Sequence, residues 1–337
     1  MSSERPLKVA LFGSGRIGQV HARNILANPE LELVLIADPF IEGAQKLAEG
    51  TGARAVATAD EVFAEDDLDA IIVGSPTNTH VDLISRAAAR GVAALCEKPI
   101  DLDIDRVLAC RDNLRGSNTP LMLGFNRRFD PNFASVQARV QAGEIGRLEQ
   151  LTIISRDPAP APASYIAGSG GIFRDQSIHD LDMARFFVPD IVEVSATGSN
   201  LFCDYIEELG DFDSVVINLR GARGEQITII NSRHSAFGHD QRLEAFGSDG
   251  MLTAGNLTPT SVRKYTAAGA EGADPYLHFF LERYAEAYRR ELEGFVQSIR
   301  QGIACSPGFE DGLEALVLAN AAEESARSGR VVKIGKD

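Results

Sequence analysis

The run Gly13-Ser14-Gly15-Arg16-Ile17-Gly18 constrains this chain more than any other six residues in it. It follows a short apolar segment rich in β-formers, Leu7–Gly13. It precedes a stretch of helical periodicity, Arg16–Ala27, carried by Ile17, Val20, Ile25 and Leu26. A G-x-G-x-x-G turn between a strand and a helix lets backbone N–H groups approach a pyrophosphate at the helix N-terminus. Asp38 closes the next apolar run, Leu33–Asp38, twenty residues after Gly18. A carboxylate there accepts hydrogen bonds from adenosine ribose hydroxyls and repels a 2′-phosphate. Pro39 and Phe40 follow, with no arginine. Gly13, Gly15, Arg16, Ile17, Gly18 and Asp38 are therefore expected to bind NAD rather than NADP. A helix N-cap is a second role open to Asp38.

The pattern begun by that turn continues. Helix-like Ile41–Glu49, Val81–Arg90 and Ile104–Leu114 alternate with apolar runs at Ala70–Gly74, Val92–Cys96 and Leu121–Phe125. Runs apolar throughout suit parallel strands buried on both faces. The alternation predicts an α/β domain over residues 1–125, a doubly wound Rossmann sheet. Beyond it the texture changes. Phe133–Ala142 reads as a helix. Leu148–Ser155, Ile191–Thr197, Ser214–Arg220, Glu225–Asn231 and Arg242–Phe246 alternate apolar with polar, and helices are expected over Phe279–Ile299 and Leu313–Ala326. Period-two strands have one buried face. Residues 126–337 are thus expected to form an α+β domain on an open mixed, largely antiparallel sheet. Pro158–Tyr165 reads as an extended Pro/Ala loop.

Charge narrows the function classes. With 33 Lys and Arg against 48 Asp and Glu, the net charge of this 337-residue chain is −15. No basic run offsets it, so nucleic acid and anionic membrane surfaces are not expected partners. No segment approaches the length of a membrane span, and the N-terminus lacks a signal-peptide pattern. Cys96, Cys110, Cys203 and Cys305 form no CxxC pair and no zinc spacing. They read as reduced thiols of a cytoplasmic protein, with no metal site.

Two further groups carry chemistry. Cys96-Glu97-Lys98-Pro99 ends a parallel strand, where ligands of open α/β sheets bind. A lysine there can polarise a substrate oxygen, although a solvated loop lysine is the alternative. In Phe173–Asp180, Asp175 and His179 stand at i and i+4. On a helix they share a face and suit proton transfer. The alternative is an N-cap aspartate with a half-buried histidine.

Together these motifs resemble the glucose-fructose oxidoreductase / inositol dehydrogenase / rhizopine-catabolism (Gfo/Idh/MocA) family, most of all its bacterial inositol 2-dehydrogenase branch. The stretches Gly124-Phe125-Asn126-Arg127-Arg128-Phe129-Asp130-Pro131, Ser155-Arg156-Asp157-Pro158 and Gly170–Asp180 carry the resemblance further, over essentially the whole chain. It implies NAD-dependent oxidation of a ring hydroxyl of a polyol, with myo-inositol going to its 2-keto form. His179 would be the base, Lys98 would stabilise the developing alkoxide, and Asp175 would orient the substrate. Ser75, Thr77, Asn78, His80, Glu97, Lys98 and Arg127 would line the cofactor. Lys98, Asn126, Arg127, Ser155, Asp157, Asp175, His179 and His239 would line the substrate. A homotetramer joined through the C-terminal sheet, with the site in the cleft between domains, is the family expectation. Relatives usually carry tyrosines at the positions of Phe237 and His239, and Met-Thr at those of Gln176 and Ser177. Another inositol stereoisomer or an aldose is therefore a second substrate reading. An NAD-binding sensor would need a broken catalytic group, and a metal-dependent dehydrogenase a ligand cluster.

Overall fold

The computed structural model describes residues 5–335. The chain divides into two compact units, residues 1–126 with 287–313, and residues 127–286 with 314–337. Chain order alone keeps 126–337 together. The return of 287–313 to the first unit rests on contacts distant in sequence.

The first unit opens with β1 (Leu7–Phe12), α1 (Arg16–Ala27), β2 (Leu31–Ala37), α2 (Ile41–Ala48), β3 (Arg54–Val56), α3 (Ala59–Phe63) and β4 (Ala70–Val73). It continues with α4 (His80–Ala89), β5 (Ala93–Cys96), α5 (Ile104–Asn113) and β6 (Leu121–Leu123). The strands form one sheet in the order β3-β2-β1-β4-β5-β6, every pair parallel. Every residue of β4 and β5 is buried, as their unbroken apolar runs require. The short β3 and α3 carry little apolar pattern and escape the sequence reading. A capping box at Thr58 and Glu61 starts α3.

The second unit begins with α6 (Pro131–Gln141), β7 (Leu148–Arg156), α7 (Ala163–Ile166), α8 (Gly171–Asp175), α9 (Ser177–Phe187), β8 (Ile191–Ser199) and α10 (Asp204–Glu208). Then come β9 (Ser214–Gly221), β10 (Gln226–Ser232), β11 (Asp240–Gly247), β12 (Gly250–Ala254) and a hairpin, β13 (Arg263–Thr266) with β14 (Gly269–Ala273). The chain closes with α11 (Phe280–Arg283), α12 (Ala285–Gln301), α13 (Phe309–Ser328) and β15 (Val332–Lys333). The seven-stranded sheet runs β12-β11-β7-β10-β9-β8-β15, antiparallel except where β10 lies parallel to β7. Its alternating residues bury one face, on which α6 and α9 pack.

Three local expectations are corrected. The Phe279–Ile299 helix breaks at Tyr284, whose ring is buried and whose hydroxyl donates to Gln241 Oε1 at 2.8 Å. The extended loop Pro158–Tyr165 turns into α7 after Pro162. The helix expected to carry both Asp175 and His179 is interrupted at Gln176 (φ −97°, ψ −56°), so Asp175 ends α8 and His179 lies in the first turn of α9. Gln176 makes that break by turning its amide to the strand ends, where Nε2 reaches the carbonyls of Ser155 and Ser232 at 3.2 Å each.

Candidate active site

In the first unit, the glycine turn joins β1 to α1 beside the loop that leaves β4, where the strand order reverses. Gly13 has φ +95°, and a Cβ on it would stand 2.5 Å from Gly74 O. A Cβ on Gly18 would stand 1.9 Å from Gly13 O. Both glycines are thus required by close backbone approach. Gly15, by contrast, faces open space, and no side chain caps the α1 N-terminus that it leads into. The N–H groups of that first turn suit a pyrophosphate. Arg16 is exposed and Ile17 half-buried beside them.

Asp38 follows β2 directly. Its Oδ2 accepts from Ser14 N at 2.8 Å and Ser14 Oγ at 2.7 Å, and Oδ1 accepts from Phe40 N at 2.8 Å. Burial works against its charge, but these hydrogen bonds prevail and hold the carboxyl below its usual range. Asp38 does not cap α2, whose N-cap is Phe40. The carboxylate is instead tied to the glycine turn and ionised, as recognition of ribose hydroxyls requires. These residues fit NAD.

After β4, Ser75 Oγ pairs with Thr79 Oγ1 at 2.7 Å, and Thr77 and Asn78 form a short helical turn. His80 starts α4 and is buried. Its Nδ1 lies 2.8 Å from Pro99 O and its Nε2 2.9 Å from Ser75 O. Burial pushes its pKa below the ordinary value, against the pull of the two carbonyls. His80 thus stands between the β4 loop and the turn that carries Lys98, and as a neutral imidazole it donates its single N–H to one of the two carbonyls. Lys98 is half-buried just past β5, and its peptide bond to Pro99 is cis. Glu97 points inward to His21, and Asn126 is buried.

In the second unit, strand register places Asn231, Ser155 and Gln241 side by side across β10, β7 and β11. Period-two alternation turns all three to the covered face. There Asp180 of α9, fully buried, accepts from Ser155 Oγ and Asn231 Nδ2 at 2.7 Å each and from Arg127. Burial pushes the Asp180 carboxyl up, while the Arg127 charge and the hydroxyl and amide donors pull it back. Ser177 Oγ joins Asn231 Oδ1 at 2.6 Å. Arg127, Ser155, Gln176 and Ser177 are thus part of the bonding that seats α9 on the strands. Asp182 is likewise buried and bound by both forks of Arg128.

Just beyond the ends of β7 and β10 lie Asp157 and Arg233, with His239 before β11. Asp175 accepts from Tyr165 Oη at 2.8 Å and Arg233 Nη1 at 3.2 Å. Arg233 also donates to Asp211 Oδ2 at 3.0 Å. Burial opposes the Arg233 charge, yet Asp175 and Asp211 outweigh it and raise its pKa. Desolvation of the hydroxyl, then the Asp175 charge, raise the Tyr165 phenol, although 53% of the residue is exposed. Burial and the same charge push Asp157 up to about 6, although 33% of its side chain remains exposed. His239 Nδ1 stands 3.4 Å from Asp157 Oδ1, and neither of its ring nitrogens has a hydrogen-bond partner among the described residues. Burial, then the Arg127 and Arg283 charges, push the imidazole down to about 3. Phe237 is exposed and meets Tyr276 edge-on. His179 is half-buried in the first turn of α9.

Sequence reasoning missed Tyr165 and Arg233 as partners of Asp175, and Asp211 as the second partner of Arg233. Only the folding of distant segments brings these residues together. Asp180 lies inside a recognised motif, and its lack of any local partner was the available signal. Among the described residues no cluster of three or more His, Cys, Asp or Glu side chains could hold a metal ion, and no helix is long and apolar enough to cross a membrane.

A six-stranded parallel sheet with a glycine turn and an ionised Asp38, followed by a seven-stranded mixed sheet ending in clustered acid, base and guanidinium groups, defines a two-part nicotinamide-dependent oxidoreductase. Residues 7–125 match the oxidoreductase family with an NAD-binding Rossmann fold, and residues 133–253 match the GFO/IDH/MocA C-terminal domain. The chain is 45% identical to the inositol 2-dehydrogenase of Rhizobium meliloti strain 1021, over 97% of this chain and 99% of that protein. It is similar to the crystal structure of a myo-inositol dehydrogenase from Corynebacterium glutamicum ATCC 13032, with 64% identity, TM-score 0.96 and coverage of 98% and 100%. A scyllo-inositol dehydrogenase from Lactobacillus casei, crystallised with NAD(H) and scyllo-inositol, superposes with TM-score 0.91 at 28% identity, covering 98% and 99%. The chain belongs to the Gfo/Idh/MocA family of NAD-binding oxidoreductases.

Proposed function

We propose that this protein oxidises a ring hydroxyl of an inositol with NAD, with myo-inositol going to 2-keto-myo-inositol. The observation that carries this reading is similarity over nearly the whole chain to an inositol 2-dehydrogenase, with the Lys98, Asp175 and His179 motifs in place. The glycine turn and Asp38 would hold NAD, which when bound would supply the hydride acceptor for the oxidation. His179 takes the hydroxyl proton as general base. Lys98 stabilises the negative charge that develops on the oxygen. Asp175, held by Tyr165 and Arg233, accepts from a neighbouring hydroxyl and orients the ring. Asp157 and His239 add polar groups for further hydroxyls.

His239 and exposed Phe237 also favour the second reading, another inositol stereoisomer or an aldose, because these side chains differ from the tyrosines of relatives. The test is a panel of NADH-formation rates on myo-, scyllo- and chiro-inositol, glucose, xylose and galactose, each with NAD and NADP. Turnover of an inositol with NAD is expected. Turnover of sugars alone moves the substrate to the second reading. No turnover with NAD still bound overturns the dehydrogenase. In the same assay His179→Ala should lower kcat far more than NAD affinity.

The protein would act in the cytoplasm, in polyol breakdown, as a homotetramer. The assembly would be joined through the outer face of the second sheet, which exposes Val216, Phe246 and Met251 among polar neighbours. Light scattering that gives a monomer would refute the assembly.

A further inference from the structure

Gly43 stands in the first turn of α2, where its N–H donates to Phe40 O at 2.9 Å. Glycine weakens a helix relative to alanine, so its presence there calls for a cause. The backbone supplies none, since Gly43 is not among the glycines at positive φ. The cause lies in the glycine turn. A Cβ on Gly43 would stand 2.5 Å from Ser14 Oγ. That hydroxyl is held in place, because it donates to Asp38 Oδ2 at 2.7 Å. Ser14 N donates to the same oxygen at 2.8 Å, and Phe40 N donates to Oδ1 at 2.8 Å.

An ionised carboxyl offers about four lone-pair sites. Ser14 and Phe40 fill three of those of Asp38, and the remaining one is on Oδ1. Ser14 Oγ has given its only hydrogen to Asp38, so toward a ligand it can only accept. Pro39, between Asp38 and Phe40, has no N–H to give. This corner of the first unit therefore presents two acceptors, Asp38 Oδ1 and Ser14 Oγ. A ribose diol brings two O–H donors and matches it. A 2′-phosphate brings acceptor oxygens and negative charge, and does not.

We propose that the Ser14 hydroxyl, seated by the missing side chain of Gly43, is a specificity-determining group that forms with Asp38 a two-acceptor site for the adenosine ribose and thereby sets the preference for NAD over NADP. This inference rests on the reading of Asp38 as the ribose acceptor. A hydroxyl that merely braces the turn against α2 predicts something different. Its loss would then weaken both cofactors equally and leave their ratio unmoved.

The experiment is calorimetric titration with NAD and with NADP, without substrate, of wild type, Ser14→Ala, Gly43→Ala and the double variant. Ser14→Ala should reduce the preference for NAD by about fivefold or more, the scale of one lost hydrogen bond. Gly43→Ala should drive Oγ off Asp38 and reduce the preference to within about twofold of the same value, and the double variant should match Ser14→Ala alone, because both changes remove one bond. An unchanged preference in Ser14→Ala, or equal weakening of both cofactors, overturns the proposal. Losses that multiply in the double variant overturn the seating by Gly43. Urea unfolding without cofactor reads the seating independently of binding. In the Ser14→Ala background the new Cβ of Gly43→Ala meets only the residue 14 Cβ at 3.5 Å, an ordinary contact, so the unfolding midpoint should rise. In wild type it should rise less or fall, and an equal rise in both backgrounds also overturns the seating. Asp38→Ser separates the two levels of the reading. No change of preference there refutes Asp38 as the ribose acceptor, whereas a change there with none in Ser14→Ala refutes the role of Ser14 alone.

Discussion

Mild acid should destabilise this protein through His239, and the size of the effect follows from the environment of its ring. The imidazole is 3% exposed, without a hydrogen-bond partner at either nitrogen among the described residues, and faced by the Arg127 and Arg283 charges, with Asp240 pulling the other way. It therefore accepts a proton in the fold only near pH 3, against the ordinary 6.5. Between those values the unfolded chain binds more protons than the native one, so stability falls as pH falls. At about 1.4 kcal/mol per unit, going from pH 6.5 to about 4.5 removes about 2 kcal/mol, since the unfolded imidazole is only half-titrated at the start. Asp157, the carboxylate 3.4 Å away, takes up its own proton in the fold at about 6, so it offers no countercharge in that interval; its raised pKa adds stability as pH falls, which opposes His239 and makes the difference between wild type and variant the quantity to read. The assay is urea unfolding at a series of pH values, at one protein concentration, for wild type and His239→Phe. The phenyl ring preserves the edge-on packing on Tyr284, seen at 6.0 Å, without titrating. The variant should lose about 2 kcal/mol less than wild type over the interval. Parallel stability curves would refute the buried neutral histidine.

Other perturbations probe the two binding surfaces. Asp38→Ser should weaken NAD and reduce its advantage over NADP by about tenfold or more, the scale of lost hydrogen bonds to a charged acceptor. Binding titrations with both cofactors check it, and an unchanged ratio would leave Asp38 with only its ties to Ser14 and Phe40. Gly18→Ala should lower NAD affinity, because its new Cβ meets Gly13 O at 1.9 Å and moves the turn, as calorimetric titration would show. Arg233→Met leaves Asp175 and Asp211 without their shared guanidinium and should cost about 3–5 kcal/mol in denaturant unfolding, with loss of turnover.

Much of this architecture is legible in one dimension because its causes are local. The runs at β1, β4 and β5 are apolar at nearly every position, which only burial on both faces explains, and the strict alternation of β9 and β11 assigns them one covered face. Gly13 and Gly18 are fixed by a turn whose geometry spans six residues, and Asp38 follows from the length of one βα unit. The break at Gln176 was not legible, since it depends on the carbonyls of Ser155 and Ser232 on strands far away in sequence. The sequence by itself determined the fold class, the cofactor turn and the residues rich in chemistry. The tertiary structure alone decided their partners: Arg233 and Tyr165 for Asp175, and Asp180 for Arg127 and Ser155. Periodicity encodes which way a side chain faces within its own element. The identity of the group it meets is set by the packing of elements that the chain order does not place together.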